Sequence, residues 1–296
     1  MLVDSASNSF PTAMRAKLGA YAAFTKLRLT ALVVISSVIG YGIGAVSFSW
    51  IEVFWLSLSG ILVTGASNGF NQVIERDVDS LMNRTKSRPL PQGNMSVIEA
   101  LILATVMGVI GLALLYFMFN QLAAVLGALA LFSYVMIYTP LKRYSSIAVF
   151  VGAFPGAIPP MLGYVAATAD FDLYAGLLFA TQFMWQFPHF WAIAWVSHED
   201  YKKAGYHLLP SKGKDGQSAF LTLLYALFLI PVSLLPWAFD LIGSVAAGAL
   251  AIAGIAFAVP TFKLLRTKSD KSARAVMFAS FFYLPIAQLI LLFDKF

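Results

Sequence analysis

A group of polar side chains lies where a long apolar stretch of the sequence ends. Asn71, Glu75 and Asp79 recur at every fourth position, so a helix would align them on one face, about 6 Å apart per step. Two carboxylates and an amide suit Mg²⁺, which prefers oxygen ligands and usually shares them with substrate phosphates. Polar residues at the mouth of a membrane helix are costly and mark a functional site by default. We call these three residues the metal ledge, and they predict diphosphate chemistry at a membrane surface.

Basic residues follow the ledge closely. Arg84, Lys86 and Arg88 are suited to bind phosphate oxygens, because the planar fork of Arg makes bidentate, charge-assisted hydrogen bonds. A departing diphosphate accumulates negative charge, which metal ions and cationic side chains stabilise. Helical geometry points Asp77 away from the ledge, and the sequence leaves it either as a ligand of a second metal or as a cap of the loop. A membrane stop signal would explain the cations singly, but not the ledge that directly follows an apolar run.

A second polar group lies where the sixth apolar stretch ends. Glu199 and Asp200 offer carboxylates, and Lys202 and Lys203 add cations beside them. Neither acid has a carboxylate partner four residues away, so this group is weaker than the first ledge. We expect Asp200 to be the metal ligand from this loop, with Glu199 as the alternative.

His189 lies inside the same apolar stretch, flanked by Trp185 and Trp191. An imidazole at that depth can ligate iron, hold a carboxylate or hydrogen-bond a neighbouring helix. For a lone intramembrane His, the hydrogen bond between helices is the more common role. The 25 Phe, 12 Tyr and 6 Trp residues would also suit a cavity that shields an allylic cation with π faces.

The composition is that of a polytopic membrane protein. Of 296 residues, 59% are hydrophobic and 11% charged, whereas charged residues make up roughly a quarter of a typical soluble chain. The absence of cysteine excludes disulfides, thiolate metal sites and cysteine nucleophiles. Residues 1–24 contain no compact apolar run with a cleavage site. We therefore expect a cytoplasmic N-terminal tail over 1–24, with an interfacial helix as one form of it, rather than a signal peptide, followed by a single transmembrane domain over 25–296.

Nine apolar stretches are long enough to cross a bilayer. They lie at about 27–46, 52–74, 96–117, 120–139, 145–167, 172–196, 218–238, 242–262 and 275–293. With a cytoplasmic N-terminus, 19 of the 20 Lys and Arg residues face the cytoplasm and Lys295 alone lies outside, in accord with the positive-inside rule. The net charge of +6 therefore reflects membrane orientation, and we expect no nucleic-acid partner.

The ledge and the segment after it, Met82–Pro91, closely resemble the first signature of the UbiA superfamily of intramembrane prenyltransferases. Segments 138–143, 152–164, 185–191 and 200–205 resemble the haem-modifying farnesyltransferase branch of that superfamily. The resemblance extends over about residues 20–293. Two features depart from the superfamily pattern: Glu75 stands where Asp is usual, and the second signature is weaker than the paired-Asp form.

The resemblance implies an all-α bundle of about nine transmembrane helices in a bacterial inner membrane, with its active site facing the cytoplasm. It implies Mg²⁺-dependent transfer of a farnesyl group from farnesyl diphosphate to a vinyl group of protoheme IX (haem B), giving haem O and diphosphate. The implied catalytic residues are Asn71, Glu75, Asp79, Arg84 and Arg88, and the implied metal ligands are the ledge and Asp200. Lys86, Lys142, Arg143, Lys202 and Lys203 would bind diphosphate, and His189, Trp185 and Trp191 would contact haem.

Two other functions stay open at this point. The same chemistry could act on an aromatic acid, with a polyprenyl diphosphate as donor. The chain could instead be a haem or lipid transporter without catalysis, but transporter sites tend to lie near the bilayer midplane, whereas these acids lie at its edge. Candidate protein partners are a haem A synthase and terminal oxidase assembly proteins.

Overall fold

A computed structural model describes residues 9–295, and over this range the chain is helical with no strand. The helices are α1 (Ser9–Thr25), α2 (Leu27–Gly44), α3 (Trp50–Asp79), α4 (Val97–Met118), α5 (Gln121–Phe132), a π-helical segment (Ser133–Tyr138), α6 (Thr139–Leu141), α7 (Ala148–Thr168), α8 (Leu173–Val196), α9 (His198–Lys203), α10 (Gly216–Ala238), α11 (Ser244–Thr267) and α12 (Asp270–Asp294). The predicted all-α class is confirmed.

Each of the nine predicted spans corresponds to a long helix in the described part of the chain. Eight helical stretches there are long and apolar enough to cross a membrane, and α5, the π-helical segment and α6 together form one of them. The ninth span is α8, which is 24 residues long. Gln182, Gln186 and His189 interrupt its apolar sequence, and all three are buried and hydrogen-bonded to other helices.

Helix α3 is the longest helix and carries the ledge at its end. Ser49 caps its N-terminus by accepting a hydrogen bond from the Glu52 backbone N–H. Its 30 residues span about 45 Å at 1.5 Å per residue, whereas the hydrocarbon core of a bilayer is only about 30 Å thick. A helix of this length exceeds the hydrocarbon core, and we expect its polar last turns, which carry the ledge, to extend to the membrane surface.

Helix α7 packs closely against α2 and α8 although it contains three prolines. Pro160 has no N–H to donate to the Gly156 carbonyl, and the Gln182 side chain of α8 donates to that oxygen instead, at 2.7 Å. A Cβ atom on Gly163 would lie 1.8 Å from the Ser37 carbonyl oxygen of α2, so only glycine permits this approach. Pro160 thus frees a carbonyl that a neighbouring helix pairs, as membrane helices require.

Helix α12 closes the bundle, since it packs against both α2 and α8. Gln288 of α12 donates to Ser36 of α2 at 2.6 Å and to Gln182 of α8 at 2.8 Å. At the far end of α12, Lys295 donates to the carbonyls of Gly42 and Ala45, where α2 ends. A cation is favoured at a helix C-terminus, which explains how the one basic residue on the opposite side is accommodated.

The segment predicted as an N-terminal tail is partly helical. Residues 1–8 lie outside the described residues, whereas α1 begins at Ser9. Glu99 of α4 accepts from Lys17 at 2.8 Å and from Tyr21 at 2.8 Å, so α1 is attached to the bundle. The break between α1 and α2 falls at Lys26, whose φ of 50° is left-handed. Side chains of α3 hydrogen-bond the carbonyls just before this break, which stabilises it.

Candidate active site at the end of helix α3

The three ledge residues lie on one face of α3 and are all buried: Asn71, Glu75 and Asp79 are 1%, 3% and 0% exposed. Burying two carboxylates is costly unless each finds a positive partner. The neighbouring segments supply these partners, so the site is best described by what each ledge residue contacts.

Glu75 is ion-paired with Lys142. The Lys142 Nζ lies 2.5 Å from Glu75 Oε1, and both side chains are almost fully buried. The Tyr206 hydroxyl donates to the same oxygen at 3.0 Å. Burial lowers the pKa of Lys142, but the Glu75 carboxylate outweighs this effect, and the net pKa is raised. Lys142 directly follows α6 and the π-helical segment, an element that recurs at functional sites.

Asp79 is ion-paired with Arg88, at 2.5 Å between Oδ2 and the guanidinium. Thr85 donates to the Asp79 backbone carbonyl at 2.9 Å, which folds the basic segment back over the ledge. The other carboxylate oxygen, Oδ1, is buried and has no hydrogen-bond partner among the described residues. A buried, unpartnered acceptor is rare, and a cation is one partner that would satisfy this oxygen.

Asn71 contacts two further segments. Its amide nitrogen donates to Thr139 at 3.2 Å, and its oxygen Oδ1 accepts from Lys26 at 3.5 Å. Lys26 is half-buried, and desolvation together with the nearby positive charges of Arg88 and Lys142 lowers its pKa to about 7. The ledge therefore lies beside a lysine that titrates near neutral pH.

The loop after α3 contacts the second polar group. Asp200 accepts a hydrogen bond from the Arg84 backbone N–H at 3.2 Å, and the Arg84 guanidinium donates to Tyr201 at 3.3 Å. Lys203 lies 3.3 Å from Asp200. The loop after α3 is therefore in contact with α9, as expected if the two loops form one site.

Several other predicted site residues are exposed, and Arg143 contacts α3 next to the ledge. Asp77 is exposed and pairs with Arg76 at 3.1 Å, in line with the direction that helical geometry gives it. Arg143 donates to the Ile74 carbonyl of α3 at 3.0 Å, so it lies beside the ledge. The side chains of Lys86, Lys202 and Glu199 are exposed.

His189 contacts α12. Its Nδ1 is 2.7 Å from the Ser280 hydroxyl, and its ring stacks on Trp185 with centroids 4.4 Å apart. Trp191 instead packs against Tyr225 of α10, with ring centroids 5.0 Å apart. The structure therefore groups Trp185 with His189 and does not bring Trp191 to them.

Sequence reasoning missed three residues that contact the ledge: Lys26, Thr139 and Tyr206. In the sequence, Lys26 indicates only the orientation of the chain in the membrane, and nothing around it distinguishes it from the other cations predicted on the cytoplasmic side. Thr139 and Tyr206 had a weak signal, because both lie within or beside segments that carry the family resemblance.

The donor set fits a hard cation. Between residues 9 and 295, no group of three or more acidic or His side chains is placed to hold a metal alone. The ledge offers two carboxylates and an amide oxygen, and Asp79 Oδ1 needs a partner. Oxygen ligands and an incomplete protein shell are characteristic of Mg²⁺ bound together with phosphates.

Comparison with known proteins identifies the family. Residues 15–284 match the UbiA prenyltransferase family. The chain belongs to this family. It is similar to the protoheme IX farnesyltransferase of Flavobacterium psychrophilum, with 44% identity over 99% of each chain. It is also similar to that of Christiangramia forsetii, with 45% identity over 92% of each chain. The predicted membership of this prenyltransferase family is confirmed.

Solved UbiA-family structures share the fold. A digeranylgeranylglyceryl phosphate synthase superposes with a TM-score of 0.78 at 20% identity, covering 94% of this chain and 98% of that one. A UbiA homologue from Archaeoglobus fulgidus bound to GPP and Mg²⁺ gives a TM-score of 0.66 at 15% identity, covering 92% and 99%. At these identities the likeness shows the fold alone, and it agrees with the multi-pass helical bundle.

Proposed function

We propose that this prenyltransferase transfers a farnesyl group from farnesyl diphosphate to a vinyl group of protoheme IX, giving haem O and diphosphate. The observation that carries the proposal is identity of 44% over nearly the whole chain with a curated protoheme IX farnesyltransferase. The site supports it, because buried acids and cations meet where an apolar bundle opens toward a membrane surface. This arrangement suits a substrate with a charged head and an apolar tail.

In this proposal Asn71, Glu75 and Asp79 hold Mg²⁺, with Asp200 as a further ligand. When bound, the metal neutralises charge on the diphosphate as it leaves. Support comes from the unpartnered Asp79 Oδ1 and from the A. fulgidus homologue, which was solved with GPP and Mg²⁺.

The protein's own cations bind and orient the diphosphate. Arg88 and Lys142 are paired with ledge carboxylates, and Lys26 lies beside Asn71. With the ledge carboxylates holding a metal, Arg88, Lys142 and Lys26 would be available to bind the phosphate oxygens, and Arg84 would add a further positive charge. The exchange keeps every buried charge paired, which a low-dielectric site requires.

The reaction then proceeds by electrophilic addition. The C–O bond of farnesyl diphosphate breaks and its electron pair leaves with diphosphate. The vinyl π electrons form the new C–C bond, and water captures the resulting cation and loses a proton. Tyr134 and Tyr138, with ring centroids 5.2 Å apart, lie beside this site, since Lys142 is 4.9 Å from the Tyr138 ring. Their π faces can stabilise the farnesyl cation.

His189 and Trp185 are the residues proposed to contact haem, with His189 as a ligand of the iron, as haem proteins commonly use an axial His. Trp191, which packs against Tyr225 rather than against His189, stays a predicted haem contact. We further propose a bacterial inner membrane with the ledge on its cytoplasmic side, which the distribution of Lys and Arg supports. Interaction with a haem A synthase or with terminal oxidase assembly proteins stays a prediction.

The test is to incubate purified protein with haem B, farnesyl diphosphate and Mg²⁺ and to measure the haem mass. We expect a mass increase equal to a farnesyl group plus a hydroxyl group, because the water that captures the cation loses one proton. Asn71→Ala and Asp79→Ala should lose this product while staying folded. The exposed Asp77→Asn is the matched control and should stay active. Unchanged haem mass with well-folded protein would overturn the assignment. Product from an aromatic acid acceptor would then favour the alternative substrate.

A further inference from the structure

The hydroxyl of Ser280 in α12 makes two hydrogen bonds in the core of the bundle. It donates to the Met277 carbonyl at 2.6 Å, one turn earlier in the same helix. It also lies 2.7 Å from Nδ1 of His189 in α8. Ser280 is fully buried, so solvent does not compete for either bond.

These two bonds determine where the imidazole proton lies. A hydroxyl has one hydrogen to donate and otherwise only accepts. Because Ser280 donates its hydrogen to Met277, it can only accept from His189. With the Ser280 hydrogen assigned to the Met277 carbonyl, a neutral imidazole carries its proton on Nδ1 and leaves Nε2 with a free lone pair.

The ring is also fixed in orientation. Trp185 stacks on it at 4.4 Å, with 17° between the planes, and Phe281 packs edge-on at 5.2 Å. Trp185 Nε1 donates to the Ser280 backbone carbonyl at 2.9 Å, so the stacking residue and the hydrogen-bond acceptor are held to each other. Both sides of the imidazole therefore depend on the same turn of α12.

The second ring nitrogen, Nε2, has no hydrogen-bond partner among the described residues. A buried nitrogen without a partner would be one of the unsatisfied buried atoms of the structure, and Nε2 is not one of them. Since 8% of the His189 surface is exposed, we take Nε2 to be the accessible part of the ring. A neutral imidazole with an accessible lone pair on one nitrogen, and its other N–H held by an acceptor, is the arrangement found in metal-ligating His residues.

We propose that Ser280 is a positioning residue, which holds His189 as the Nδ1–H tautomer and so presents Nε2 to the iron of the porphyrin substrate. The inference rests on the proposed function in that the ligand is haem. It adds that α12, remote in sequence from every signature segment, sets the haem-binding geometry.

The tautomer can be measured without haem. The chain contains only 3 His residues, so ¹⁵N-His labelling gives three imidazole signal pairs, and His189→Gln identifies one of them. We expect a protonated Nδ1 and an unprotonated Nε2 for His189. Ser280→Ala should move the proton toward Nε2, whereas Ser280→Thr keeps a hydroxyl and should restore the original state. A protonated Nε2 in the unmodified protein overturns the proposal directly.

Haem titration gives the second readout. Ser280→Ala should weaken haem B binding about tenfold, the lower range for loss of an outer-shell partner of a metal ligand. It should also lower the frequency of the iron–histidine stretching band of ferrous haem in resonance Raman spectra. Ser233→Ala is the matched control, since Ser233 is also buried and also donates to the carbonyl three residues earlier, at 2.8 Å. It should change neither property.

The outcomes separate the two proposals. If Ser280→Ala binds haem as the unmodified protein does, the positioning role is wrong although farnesyl transfer can still stand. If His189→Gln also leaves the Raman band intact, the iron has another ligand and the positioning role again fails. If the unmodified protein neither binds haem nor changes its mass, the proposed function fails. Should Ser280→Ala not fold, the tautomer in the unmodified protein and the Ser280→Thr titration still decide.

Discussion

Replacing Lys142 with methionine should destabilise the protein strongly, because Glu75 would keep a buried charge without its ion-pair partner. The two charged atoms lie 2.5 Å apart, and their side chains are 10% and 4% exposed. At an effective dielectric constant of about 20, unit charges at this distance attract by roughly 7 kcal/mol. Dehydrating the ions opposes much of this attraction, and removing one partner of a buried pair typically costs about 3–5 kcal/mol.

The free energy of unfolding in mixed detergent and SDS micelles measures this cost. Lys203→Met is the matched control, since Lys203 also pairs with a carboxylate but is 50% exposed, and exposed pairs contribute less than about 1 kcal/mol. The double variant Glu75→Gln with Lys142→Met removes both charges, and we expect it to be more stable than Lys142→Met alone. The reasoning is refuted if Lys142→Met costs no more than Lys203→Met, or if the two single costs simply add in the double variant.

Three further predictions concern the site. Glu75→Asp should lower kcat although Asp is usual at this position in the superfamily, because a side chain shorter by one methylene no longer reaches Lys142; unchanged turnover would contradict this. The pKa of Lys26 is about 7, so this side chain loses its positive charge as the pH rises from 6 to 8.5. The KM for farnesyl diphosphate should therefore rise over this range. In Lys26→Met this pH dependence should disappear. Trp185→Phe should shift the Soret band of bound haem and Trp191→Phe should not; the reverse would restore Trp191 to the haem site.

The ledge could be predicted from the sequence because its geometry is local. A spacing of four residues fixes one face of a helix wherever that helix lies, and an apolar run that ends at the ledge indicates a membrane surface. The same argument gave the nine spans, since length and hydropathy are properties of each segment alone. The helices extend beyond several of the predicted spans, and in α3 this matters for the site: the helix continues to Asp79, beyond the predicted end at 74, and keeps all three residues on one helix.

The partners of the ledge could not be predicted, because they come from distant parts of the chain. Lys26 and Asn71 are 45 positions apart, and Tyr206 and Glu75 are 131 apart. Such contacts depend on how helices pack around each other, which spacing within one segment does not specify. Trp191 is a different case, because its position follows from local geometry: two residues from His189 on one helix, it is directed to a different face of α8.

The contacts of Asp200 give a reason for the weak second signature. Its carboxylate accepts from the Arg84 backbone at 3.2 Å and pairs with Lys203, so it joins the two loops in the absence of a metal. We infer that one aspartate is enough in this loop because it holds the loop after α3 against α9. Since the Arg84 backbone N–H and Lys203 already pair with Asp200, this contact needs no second carboxylate one turn later.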